Sequence, residues 1–70
     1  MNKYAVVIEK AEKNYSAYIP EVPGCVAVGA TVEEVRQTLM EALASHLELM
    51  RQAGEPIPEP STIADYVEVA

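Results

Sequence analysis

TVEEVRQTLMEALASHLELMRQAG, Thr31 to Gly54, is the stretch that decides the fold. It reads as one long amphipathic helix marked at both ends. The Thr31 hydroxyl can accept a hydrogen bond from a free first-turn N–H. Glu34, three residues on, completes a capping box, and Glu33 adds negative charge at the positive end of the helix dipole. Gly54 can take the left-handed conformation that closes a helix, and Pro56 forbids its continuation. At about 100° per residue, Val32, Val35, Leu39, Ala42, Leu43, His46, Met50 and Ala53 fall on one face, with Leu47 and Leu49 beside them. Glu34, Gln37, Glu41, Ser45, Glu48 and Gln52 take the opposite side. Such a stripe must be buried, and the flanking sequence has to supply the surface.

Upstream, three short segments have strand character. Tyr4 to Glu9 (YAVVIE) is β-branched and apolar on both faces, as expected for a strand well inside a sheet. Lys10 to Asn14 (KAEKN) is a polar connection of hairpin size. In Tyr15 to Ile19 (YSAYI), Tyr15, Ala17 and Ile19 point one way, Ser16 and Tyr18 the other. Pro20 ends that strand, and Pro23-Gly24 within PEVPG suits the centre of a type II turn. Cys25 to Val28 (CVAV) is the third strand, and Gly29-Ala30 leads to the helix cap. Downstream, prolines at 56, 58 and 60 make EPIPEP a stiff extended connection. Ile63 to Val69 (IADYVEV) reads as a fourth strand. The expected architecture is therefore α+β in the order β-β-β-α-β. An antiparallel three-stranded meander is joined by the fourth strand, with the helix on one face and residues 1–70 forming a single domain.

Size and charge narrow the function. A chain of 70 residues buries only about 60% of its unfolded surface, so its core is marginal and a homo-oligomer or a protein partner is expected. The net charge is −6, eleven acidic side chains against five basic ones. That disfavours direct nucleic-acid binding, which needs Lys and Arg to displace counterions; it suits a basic protein partner, while composition by itself favours the plainer reading that acidity keeps the protein soluble. The lone Cys25 can form no internal disulfide and belongs to no zinc motif. No stretch resembles a signal peptide or membrane span, so the expected location is cytoplasmic with no membrane association.

Catalytic and cofactor chemistry finds little support. His46, the only histidine, lies on the apolar stripe without a visible second ligand or nucleophile, and reads as a packing residue. Cys25 reads as a small apolar strand residue. Glu9, Glu41 or Glu48, and Asp65 could be imagined as the carboxylates of a minimal metal-dependent nuclease, but the helix glutamates face away from the stripe. No glycine-rich phosphate loop, GxSxG or HExxH occurs. We therefore assign no catalytic residue, no metal ligand and no cofactor. Tyr15 and Tyr18 beside the ordered proline loop suit a protein interface, since tyrosine brings large contact area at low entropy cost, and core tyrosines with satisfied hydroxyls are the equal alternative. Exposed strand edges add β-augmentation as a second route to partners.

The stretch YSAYIPEVPGCVAVGATVEEVRQTLMEALASHLELMRQAGEPIPEPS resembles HicB antitoxins of bacterial and archaeal HicA–HicB toxin–antitoxin systems. An aromatic strand leads into P-E-V-P-G-C, followed by a glycine, a helix cap with an acidic first turn, an E-A-L-x-x-H-L-E helix, a glycine and I-P-x-P. The resemblance runs from Tyr4 to Ala70. It implies a fold similar to a truncated ribonuclease H domain. It also implies a partner: a small basic HicA-like toxin, similar to a double-stranded-RNA-binding domain, that cleaves mRNA with a histidine. The antitoxin would cover that surface. Tyr15, Tyr18, Glu21, Val22 and Pro23 are the expected partner-binding residues. Many HicB proteins carry a C-terminal helix-turn-helix or ribbon-helix-helix; here the sequence reaches Ala70 directly after the last expected strand, so a short form without DNA-binding autoregulation is expected. A self-associating scaffold without a cognate toxin is the alternative.

Overall fold

In the computed structural model, which describes residues 3–70, the Pro-Gly turn and the helix caps form as their chemistry dictates. The strands are β1 (Val7–Lys10), β2 (Tyr15–Tyr18) and β3 (Val26–Gly29), and the helix α1 spans Val32–Gln52. The strands pair antiparallel in the order β1-β2-β3. Val22, Pro23, Gly24 and Cys25 make the turn between β2 and β3: the Cys25 N–H donates to the Val22 carbonyl at 3.1 Å, and Gly24 supplies the positive φ of 87°.

Both ends of α1 are satisfied. Thr31 Oγ1 accepts the Glu34 N–H at 3.0 Å. The Glu34 carboxylate reaches back to the N–H of Ala30, at 3.0 Å, one residue earlier than the reciprocal capping box expected. At the other end Gly54, at φ +74°, closes a Schellman motif: its N–H donates to the Arg51 carbonyl and the Glu55 N–H to that of Met50.

α1 packs chiefly over β3 and next over β2. The core is Ala17, Ile19, Val22, Cys25, Ala27, Val35 and Leu39, with Tyr4, Ile8, Tyr15, Ala42 and Leu43 packed around it. Gly29 lets the helix approach: a Cβ there would lie 2.8 Å from the Val35 backbone nitrogen. Of the stripe only Val35 and Leu39 are fully buried. A helix of 21 residues is about 31 Å long, whereas a four-residue strand covers about 13 Å, so α1 overhangs the sheet. Accordingly His46 and Met50 are half-buried and Ala53 is exposed.

Two expectations about the sheet need correction. β1 is an edge strand rather than an interior one, and it begins at Val7 rather than Tyr4. Its pairing stops where Val7 faces Tyr18, whereas the Ile19 N–H donates to the Cys25 carbonyl and carries the β2–β3 register one pair further. The fourth strand, Ile63 to Val69, is not formed: residues 63–70 pair with nothing among the described residues, and Ile63, Tyr66, Val67 and Val69 are 89–94% exposed. The approach to this segment is pinned. Tyr4 donates its hydroxyl to the Pro58 carbonyl, and Glu21 Oε2 captures the N–H groups of Ser61 and Thr62, donors a ladder would otherwise use.

Candidate partner-binding surface

The helix covers one side of the sheet and leaves the other bare. Strand alternation decides which residues face outward. Ile8, Ala17 and Ala27 are register partners on the covered side; Val7, Tyr18 and Val26, with Ser16 and Val28, are partners on the bare side. Tyr18 is 41% exposed, Val26 64% and Val28 61%. Three large apolar side chains thus stand side by side on an open face, flanked by Glu9.

The five expected partner-binding residues do not form one patch. Tyr18 lies on the bare face and Pro23 is exposed on the turn. Tyr15 is on the opposite side of β2, packed at the rim of the core with the Lys10 ammonium 5.6 Å from its ring centre. Val22 is 1% exposed and belongs to the core. Glu21 is half-buried and turned inward to Ser61 and Thr62. The Ser61 hydroxyl and N–H, with help from Thr62, hold its carboxyl below the usual glutamate range. Val26 and Val28 were missed as surface residues. The signal was present in CVAVG, where residues 25, 27 and 29 are buried and 26 and 28 exposed.

The other chemically notable groups are dispersed. Glu9, Glu41, Glu48 and Asp65 are all exposed, and no group of three or more His, Cys, Asp or Glu able to hold a metal occurs among the described residues. Glu48 is ion-paired with Arg51, which holds its carboxyl below the usual range; the Gln52 amide adds to this. Burial pushes the Cys25 thiol up, which keeps it inert at neutral pH. A cleft of about 270 Å³ between the residues before β1 and the helix is walled by Tyr4, Val6, Met40 and Leu43, with Arg36 at its side. No helix among the described residues is long and apolar enough to cross a membrane.

Comparison with known proteins follows the same outline. The model of the family described as "HicB_like antitoxin of bacterial toxin-antitoxin system" matches residues 4–70. The chain belongs to the HicB-like antitoxin family. Antitoxin HicB 1 of Photorhabdus laumondii is 32% identical over 69 residues, covering 96% of this chain and 44% of that protein. An uncharacterised 14.9 kDa protein of Haemophilus phage HP1 is 34% identical over 64 residues, covering 91% of this chain and 48% of its own. The chain therefore spans about half the length of these relatives. Among solved structures, a chain of the HicA3 and HicB3 toxin-antitoxin complex superposes with a TM-score of 0.71 at 30% identity, covering 86% of this chain and 70% of that one. The three antiparallel strands and single long helix are thus the HicB-like arrangement.

Proposed function

We propose that this HicB-like chain acts by docking on a small, basic, HicA-type mRNA ribonuclease and covering the surface that takes up RNA. The observation that carries this reading is the bare sheet face, where Tyr18, Val26 and Val28 stand exposed in a chain of net charge −6. Apolar anchors with an acidic surround suit a basic partner: the anchors supply affinity, the charge speeds encounter and selects the partner. The solved neighbour's presence in a toxin–antitoxin complex supports the same class of partner.

Tyr18 and Pro23 make direct contact, while Tyr15 on the covered side supports the sheet and Glu21 and Val22 hold the loop in shape. The antitoxin makes and breaks no bond, needs no cofactor and binds no nucleic acid itself. Its partial ribonuclease H-like scaffold serves as a surface, and it works in the cytoplasm, where the toxin meets mRNA. The test is cleavage of a labelled RNA by a purified HicA-type toxin. Addition of the full chain stops cleavage at equimolar ratio, and Val26→Asp with Val28→Asp weakens protection at least tenfold while leaving the fold intact. Undiminished protection by the double variant, or no complex with the wild-type chain, overturns the proposal.

A further inference from the structure

The sheet ends in β1 on one side and in β3 on the other, and the β3 edge has backbone groups to offer. In an antiparallel ladder the residues of a strand alternate between bonding one neighbour and turning their N–H and C=O the other way. Two bonds just beyond the strand ends set the phase of that alternation. The Ala11 N–H donates to the Asn14 carbonyl, so Ser16 and Tyr18 of β2 bond β1. The Ile19 N–H donates to the Cys25 carbonyl, so Ala27 and Gly29 of β3, like Cys25, direct their groups to β2. Val26 and Val28 therefore turn theirs outward, and no turn or loop backbone bond reaches them among the described residues.

The free stretch is short and bounded at both ends. After Gly29, the Ala30 N–H is taken by the Glu34 carboxylate at 3.0 Å. Before Cys25, the chain turns at Gly24 with φ 87°. Exposed sheet edges are commonly blunted by lysine, proline or a bulge. None of these occurs in Val26–Gly29, whose pairing with β2 is continuous. β1 by contrast carries Lys10, with Lys13 in the hairpin after it and Lys3 ahead of it.

We infer that the partner adds a strand at the β3 edge: an extended, basic segment of the toxin-type protein pairs with the outward groups of Val26 and Val28. This rests on the reading that the partner is a basic toxin, and specifies how the chain grips it.

Charge selects the occupant. From Ile19 to Val35 the chain carries Glu21, Glu33 and Glu34 and no Lys or Arg, whereas three of its five basic residues lie at the β1 side. A basic strand is drawn to β3 and repelled from β1. A second copy would bring the same glutamates and no lysine to this edge, which disfavours β3 pairing with itself. The edge is also continuous with the bare face. Val26 and Val28 are 64% and 61% exposed there, and alternate side chains of an added strand would stand beside them. Backbone pairing supplies affinity, and those side chains supply the choice of partner.

The experiment uses the full chain and a purified HicA-type toxin, with complex formation measured independently by calorimetry. Amide hydrogen exchange by NMR reads the edge. The Val26 and Val28 amides exchange freely in the chain alone and slow at least about 100-fold in the complex, while the outward amides of Ile8 and Lys10 on β1 are unchanged. Val28→Pro removes an outward donor that the fold does not use, and Ala27 before it is already extended. Val28→Ala trims the side chain but keeps the donor. The proline variant binds at least about tenfold more weakly than the alanine variant, because a partner carbonyl is left unsatisfied. The exchange measurement holds whether or not the proline variant folds. A complex whose Val26 and Val28 amides stay unprotected, or equal binding by the two folded variants, overturns the inference and leaves the toxin reading standing. No complex with the wild-type chain overturns both. Concentration-dependent protection of these amides in the chain alone marks pairing between copies, and overturns the inference as well.

Discussion

Gly29→Ala tests how closely the helix sits on the sheet. An added Cβ would lie 2.8 Å from the Val35 nitrogen, 3.0 Å from its Cα and 3.1 Å from its Cβ. The first two are backbone atoms in the first turn of α1, where the Val35 N–H donates to the Thr31 carbonyl at 3.0 Å. Val35 is 0% exposed, so it has no free direction in which to move. Either the helix start lifts or β3 bends. Overpacking of this kind costs about 1–3 kcal/mol, and Ala recovers about 0.4–1 kcal/mol by restricting the unfolded chain. The net loss is about 1–2 kcal/mol, from a total of about 4–10 kcal/mol expected for a domain of this length. Urea unfolding followed by circular dichroism reads it: with a slope near 1 kcal/mol per M, the midpoint falls by about 1–2 M at unchanged slope. Wild type and variant are compared at one protein concentration, because association would shift both. Gly24→Ala and Gly54→Ala are the contrast. Their Cβ atoms would meet nothing within 4 Å, and their cost comes from positive φ alone. An unchanged or raised midpoint for Gly29→Ala refutes the close approach of helix and sheet.

Leu39→Ala, at a residue 1% exposed, lowers stability by about 2–5 kcal/mol, whereas Met40→Ala, 56% exposed on the next position, changes the urea midpoint little. Thr31→Ala removes the cap to the Glu34 N–H and costs about 1 kcal/mol by the same measurement; Thr31→Ser recovers most of it. The Glu21 carboxyl is held below its ordinary range by Ser61 and Thr62, so its folded pKa lies under its unfolded one. Its contribution is complete above the unfolded value and is lost as pH falls through the folded one. In an acid titration the Ser61 and Thr62 amide resonances move together with the Glu21 carboxyl signal, and Glu21→Gln leaves them flat.

The local elements were legible where one residue type has one physical use. Thr31, Gly54 and Pro23-Gly24 each carry an unambiguous backbone signal, and all three act as read. The helix face was legible from its period, but the extent of its burial was not: that depends on strand length, which Pro20 and the turn to Cys25 shorten to four residues. The meander followed from short connections. The position of β1 did not, because an apolar strand reads the same whether its second neighbour is present or only available. The candidate surface was half legible. Tyr18 and Pro23 are exposed as expected, but a sequence cannot show that Val22 turns inward while Glu21 reaches forty residues along the chain to Ser61. Val26 and Val28 are hydrophobic, and only the choice of which sheet face the helix covers makes them surface.

The two unburied apolar features point in different directions, and that difference separates their roles. Tyr18, Val26 and Val28 project perpendicular to the sheet, while the β1 edge offers hydrogen bonds in its plane. A strand added to β1 extends the sheet sideways and leaves its bare face open; a protein docked on that face leaves the edge accessible. For a domain with so small a core, a partner docked on that face would also bury what the domain cannot bury alone.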